Sequence, residues 1–284
     1  MQRRALGRTG TDLSVVGFGG ILVRNETPAE ASRLVGQAID RGINYFDVAP
    51  SYGDAEERLG PALAPYRGAV FLACKTQKRR RDEAAAELRQ SLRRLGTDHV
   101  DLYQHHAVTT LDEVEQILAP GGAMEAFLEA RAQGLIRLIG FSAHSDRAAL
   151  ALLDRFPFDS ILFPLNWVVW FQGHFGPRVV DAAVRRGVGI LALKSLGRRR
   201  LGEGEARVRP KCWYAPVESY DEAALALRFT LSLPVTAAVS PGHADLFTWM
   251  CDAADRFSPL SPEEIDALRA RSAGLVPIFR SDAA

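Results

Sequence analysis

Short, nearly uninterrupted apolar runs alternate along this chain with longer stretches whose apolar positions recur at helical spacing. Val15–Gly19, Ile43–Ala49, Val70–Lys75, Val100–His105, Ile136–Ser142, Ser160–Leu165, Gly189–Leu193 and Val235–Val239 read as strands. Several are apolar throughout, as parallel strands covered on both faces should be. Between them Pro28–Arg41, Glu83–Leu95, Ala123–Ala132, Asp146–Phe156, Pro177–Arg186 and Asp221–Leu233 read as helices with Gly or Pro just past the end. Glu83–Leu95 shows the pattern well: Leu88, Leu92 and Leu95 share one face and Gly96 stops the helix. Leu6–Leu13, centred on Arg8-Thr9-Gly10-Thr11, reads as a β-hairpin, and a tail helix begins near Pro262 with Ser261 as its cap.

Strands alternating with helices predict an α/β fold with a parallel sheet. An open, doubly wound sheet would alternate in the same way, but Gly17-Phe18-Gly19-Gly20 lacks the G-x-G-x-x-G spacing of its dinucleotide loop. The expected architecture is therefore a (β/α)8 TIM barrel with an N-terminal β-hairpin and a C-terminal helix, a single domain over residues 1–284.

Charge and cysteine content narrow the partners. With 35 Lys and Arg against 34 Asp and Glu, nothing electrostatic points to nucleic acid or an anionic membrane surface. Cys74, Cys212 and Cys251 stand far apart, which argues against a disulfide framework and a cysteine-based metal site. Met1-Gln2-Arg3-Arg4-Ala5 leads into Gly and Thr rather than an apolar run, and no stretch is long enough to span a bilayer. A cytoplasmic protein without membrane attachment is expected.

In such barrels the chemistry gathers at the C-terminal ends of the strands. There the second strand offers Asp47, followed by Tyr52; the third ends on Lys75; the fourth ends on His105-His106. A buried carboxylate needs a cation or several hydrogen bonds, and Lys75 is placed to supply the cation. Singly, each residue has an ordinary structural explanation; jointly, on adjacent strand ends, Asp47, Tyr52, Lys75 and His106 form a candidate catalytic group.

The segment Asn44-Tyr45-Phe46-Asp47-Val48-Ala49-Pro50-Ser51-Tyr52-Gly53, with Glu56, Leu59 and Gly60, resembles the signature of aldo-keto reductases. Val70–Lys75 resembles that family's lysine strand, Val100–His106 its histidine strand, and Gly134–Arg137 leading into Ile139–Ser142 its fifth strand. The resemblance implies reduction of a small aldehyde or ketone to an alcohol by a reduced nicotinamide, NADP(H) rather than NAD(H) on family grounds. Tyr52 would be the general acid, its pKa lowered by Lys75; Asp47 would hold Lys75, and His106 would orient the carbonyl. His106 is selected over His105, which should point to the opposite face.

The same resemblance places cofactor contacts at Gly20, Ser142, Asn166, Lys194, Ser195, Gly197, Gly242 and His243. Ser142 and Asn166 would hold the nicotinamide carboxamide. The chain departs from the family at Ala143-His144, where an asparagine is usual, and at Leu193, where an aromatic ring often lies under the nicotinamide. His243–Phe247 also lacks the basic residues with which NADP-preferring members grip the 2′-phosphate. Arg198–Arg200 could contact the pyrophosphate or form a solvated loop; Lys78–Arg81 reads as solvated; Trp167, Trp170 and Phe171, joined by Trp213 and Tyr214, read as the substrate wall. Three competing functions are a redox-sensing barrel, an isomerase or lyase using transient oxidation, and a metal-dependent hydrolase. The metal reading has little support, because adjacent histidines diverge on a regular strand.

Overall fold

The computed structural model describes residues 1–281. The barrel strands are Val16–Gly19, Tyr45–Asp47, Phe71–Thr76, Val100–Val108, Ile136–Ala143, Ser160–Pro164, Gly189–Leu193 and Ala237–Val239, numbered one to eight below. All neighbours are parallel, and strand eight pairs with strand one through Ala238↔Val16 and Val239↔Gly17, closing the barrel.

Two apolar cores divide the stabilisation. The larger lies between strands and helices, where Phe18, Phe46, Cys74, Tyr103, Phe141 and Phe163 face the helical layer. The smaller lies inside the barrel, where Tyr45, Phe71, Ala73, Leu102, Leu162, Leu191, Ala237 and Val239 meet Leu6 and Leu13. Those two leucines bracket the hairpin loop, whose strands are Arg3–Ala5 and Asp12–Ser14 rather than the continuous Leu6–Leu13 of the sequence reading. The hairpin closes the N-terminal end: Arg8 N donates to Gly187 O (3.0 Å) and Thr236 Oγ1 to Ala5 O (2.9 Å). At Gly189 a Cβ would lie 2.4 Å from Leu6 Cδ1, so the plug and strand seven meet closely enough to require glycine.

The expected helices are present within a few residues, and the tail helix Pro262–Ser272 carries a capping box between Ser261 and Glu264. Four further helices were not read from the sequence: Ala55–Leu63, Leu111–Leu118, Trp167–Phe171 and Ala244–Asp255. Strand four runs on to Val108 through a register shift between His105 and Val108, where Ala107 takes φ 53°. No helix among the described residues is long and apolar enough to cross a membrane.

Candidate active site

Alternation along the strands sorts which side chains enter the barrel mouth. Asp47, Lys75 and Gln104 fall on the inward face: Lys75 pairs in register with Gln104, and Asp47 pairs with Ala73, two residues before Lys75. Lys75 is fully buried and paired with Asp47. Its ammonium also donates to Val48 O (3.2 Å) and lies 3.4 Å from the Tyr52 hydroxyl. Burial works against the Lys75 cation, but Asp47 and Tyr52 outweigh it and hold the amine above its ordinary pKa. The second Asp47 oxygen accepts from Gln104 Nε2 (3.1 Å) and from the Tyr45 hydroxyl (3.2 Å). Gln104 and Tyr45 were not among the sequence candidates. The signal was there, since Gln104 shares its parity with His106, and Tyr45 with Asp47.

Tyr52 lies on a short turn of 3-10 helix, Pro50–Tyr52, and its ring meets that of His106 edge-on at 5.8 Å between centroids. The expected net lowering of the Tyr52 pKa is not found. Burial pushes the phenol up, Lys75 pulls it back only in part, and Asp47 opposes Lys75. The phenol therefore stays protonated at neutral pH, with a proton to give. His106 is held neutral, first by burial and then by the cations Lys75, Arg79 and Lys194 with His144 beside it; its Nδ1 lies 3.3 Å from Ser51 Oγ. His105 faces the helical layer, stacked on Phe127 at 4.0 Å.

Asp47, Ser51, Tyr52, Lys75 and His106 line a cavity of about 330 Å³ at the barrel mouth, with Ser142, His144, Leu193, Lys194, Ser240 and Gly242 also in its wall. Ser142 Oγ accepts from Ala107 N (2.8 Å) and keeps its own proton free to donate. Asn166 stands behind the wall: Oδ1 caps the helix Trp167–Phe171 at Val168 and Val169, and Nδ2 donates to Lys194 O. Of the other residues with an expected cofactor contact, Gly20 packs against strand two and Gly197 pairs with Pro216 beyond the rim. Ser195 is buried with its hydroxyl unpartnered. His243 directs Nε2 at Lys211 N (3.2 Å).

Several expectations need correction. Arg198 pairs with Glu218 and Glu222, Arg199 with Glu205, and neither lines the cavity. Arg79 is not solvated; it is largely buried, paired with Glu113, and donates to the His106 carbonyl (2.7 Å). Trp170 and Phe171 pack on Phe229, away from the cavity, because Trp167–Phe171 is a helix and not a loop. Trp213 and Tyr214 do line it.

Basic residues missing after strand eight are supplied by the preceding loop. Arg207, Lys211 and, from the loop after strand one, Arg24 line the cavity, and Arg209 pairs with Asp245 at the start of helix Ala244–Asp255. That helix has no side-chain cap, so its first amides face the rim beside Gly242. A Cβ on Gly242 would lie 2.8 Å from Lys211 Cβ, making glycine a steric requirement there. Uncapped amides and the cations Arg24, Arg207 and Lys211 are a donor set that suits a phosphate-bearing cofactor. Among the described residues no group of His, Cys, Asp and Glu could hold a metal ion. A larger open groove of about 770 Å³ on the outer wall is lined by charges such as Asp181 and Arg185 that pair with each other.

The family model "Aldo/keto reductase family" matches residues 15–256. The "Uncharacterized oxidoreductase YqkF" of Bacillus subtilis is 34% identical over 157 residues, 50% of this chain and 49% of that protein, so the alignment spans about half of that relative. The "6-dehydroglucose reductase" of Novosphingobium aromaticivorans is 30% identical over 227 residues, 70% of each chain. The solved structure of aldo-keto reductase AKR11C1 from Bacillus halodurans, in its holo form, superposes with a TM-score of 0.77 at 25% identity, covering 98% of both chains. A match that runs from strand one to beyond strand eight, on a closed barrel of the same shape, places this chain in the aldo/keto reductase family.

Proposed function

We propose that the protein reduces an aldehyde or ketone to an alcohol at the expense of a reduced nicotinamide, with Tyr52 as proton donor. The observation that carries this reading is the buried Asp47–Lys75 pair with the Tyr52 hydroxyl 3.4 Å from the ammonium, in the wall of the one cavity that also holds His106. A reduced nicotinamide held there would supply the hydride that no side chain can. Tyr52 gives its proton to the carbonyl oxygen as negative charge builds on it. The phenolate left behind is stabilised by Lys75, whose charge Asp47, Gln104 and Tyr45 keep in place. His106, neutral, donates a hydrogen bond to the same oxygen and sets the angle of the carbonyl.

Ser142 would meet the carboxamide, and the amides after Gly242, with Arg207 and Lys211, would take the phosphates. Arg207 and Lys211, with Arg24, line the cavity near Gly242 and support NADP(H) over NAD(H), because a 2′-phosphate needs cations there.

Fluorescence titration with NADPH and NADH, followed by a carbonyl screen, tests the reading. Saturable binding with NADPH the tighter is expected, and Tyr52→Phe should lower turnover by about 10²–10⁴-fold while leaving cofactor affinity intact. Absence of nucleotide binding, or full turnover in Tyr52→Phe, would overturn it.

A further inference from the structure

Lys194, which the family resemblance implied as a cofactor contact, instead turns its ammonium toward His144, Trp213 and Phe279, and the proposed chemistry leaves it without a role. It follows strand seven with φ 60°, a conformation that side-chain-bearing residues rarely adopt, and its side chain enters the cavity wall. The ammonium lies over Trp213 (5.5 Å to the ring centroid) and Phe279 (5.4 Å), and 3.1 Å from His144 Nε2 at the end of strand five. Phe279 in turn stacks on His144 at 5.0 Å, so the imidazole is fixed from behind.

An ammonium has three donors. His144 takes one; among the described residues the other two have no acceptor, and no carboxylate forms an ion pair with Lys194. The titratable groups that face it are His144 from strand five, Lys75 from strand three, His106 from strand four and Cys212 from the loop before strand eight. Asp47, the one carboxylate in the cavity wall, is engaged by Lys75, Gln104 and Tyr45. The mouth therefore holds three lysines, two arginines and two histidines against a single committed carboxylate, and of the lysines Lys75 and Lys211 already have acidic partners in Asp47 and Glu26. A partly buried cation of this kind is normally paired.

Direction separates this cation from the phosphate donors. Strand seven lies between strands six and eight, and Lys194 reaches past strand six to strand five. The uncapped helix, Gly242 and Lys211 lie on the opposite side, past strand eight. We propose that Lys194, backed by His144 and caged by Trp213 and Phe279, is a substrate subsite for a carboxylate, so that the preferred substrates are carbonyl compounds carrying an acid group. This rests on the reductase reading, which it deepens.

The test compares 4-formylbenzoate with its uncharged methyl ester, on the wild type and on Lys194→Met, a variant that keeps the length of the side chain and its contact with the rings. Calorimetry of the NADP⁺-loaded protein reads affinity without turnover. The wild type should bind the acid about 10- to 100-fold more tightly than the ester. Lys194→Met should erase that preference, with NADPH affinity unchanged and ester binding preserved. Lys194→Arg should restore part of the preference. Equal affinity for acid and ester in the wild type, or parallel loss of both in Lys194→Met, would overturn the subsite, as would weakened NADPH binding in that variant. Steady-state reduction of the same pair separates the two readings. Acid preference in binding without turnover would leave the subsite standing and remove the reductase, while turnover without acid preference would do the reverse.

Discussion

At the scale of single residues, the site depends on charges that cannot be removed one at a time. Asp47→Ala would leave Lys75 buried without its counter-ion, so a loss of about 3–5 kcal/mol is expected in denaturant unfolding, with activity abolished in whatever remains folded. Lys194 should behave in the opposite way. Burial pulls its pKa down to about 7, against an ordinary 10.5, so folding must deprotonate or strain the group at any pH below its unfolded value. That penalty is complete below the folded pKa and fades as pH rises toward the unfolded one. Lys194→Met is accordingly expected to be the more stable protein, by about 1–3 kcal/mol at pH 6, with a smaller difference at pH 9.5. A variant no more stable at pH 6 than at pH 9.5, relative to the wild type, would show that the amine is not desolvated. Asp47, Tyr52, Lys75 and His106 could be picked out from sequence because each is a polar group ending an apolar run. Gln104 could not, because it sits inside the run; Lys194 was expected as a cofactor contact but matters for the acceptors it lacks.

At the scale of elements, the histidine is aimed by a bulge. After His105 strand four slips register, Ala107 crosses to positive φ, and its amide is caught by Ser142 Oγ while Arg79 grips the His106 carbonyl. Glu113, which caps its own helix with Thr110, holds Arg79 in turn. Arg79→Met should lower kcat about tenfold with little change in NADPH affinity, because it acts on the placement of His106 and touches neither substrate nor cofactor. A tenfold loss shared equally by an imidazole-free variant, His106→Ala, would show that the arginine has some other role. Strands and long amphipathic helices were legible because burial on one or both faces leaves a period in the sequence. Trp167–Phe171 is five residues and apolar nearly all round, Ala55–Leu63 contains Pro61, and Ala244–Asp255 starts without a side-chain cap, so each lacked the mark by which a helix is read.

At the scale of the whole molecule, the two ends of the barrel have different duties. The N-terminal end is packed shut by the hairpin, where Leu6 and Leu13 complete the inner core. Leu6→Ala should cost about 2–4 kcal/mol in unfolding free energy and leave kcat per folded molecule unchanged, since the cavity lies at the other end. At the C-terminal end the loop between strands seven and eight is fastened by pairs at its edges, Arg199 to Glu205, Arg209 to Asp245 and Lys211 to Glu26, and by Cys212 and Tyr214, which are buried in the outer core. Surface pairs of this kind contribute little to stability. Within that segment Arg207 and Trp213 are exposed, so their side chains can be changed without undoing the fold. Substrate range in this protein is a replaceable part, and a library confined to those two positions should yield folded variants with altered selectivity at high frequency.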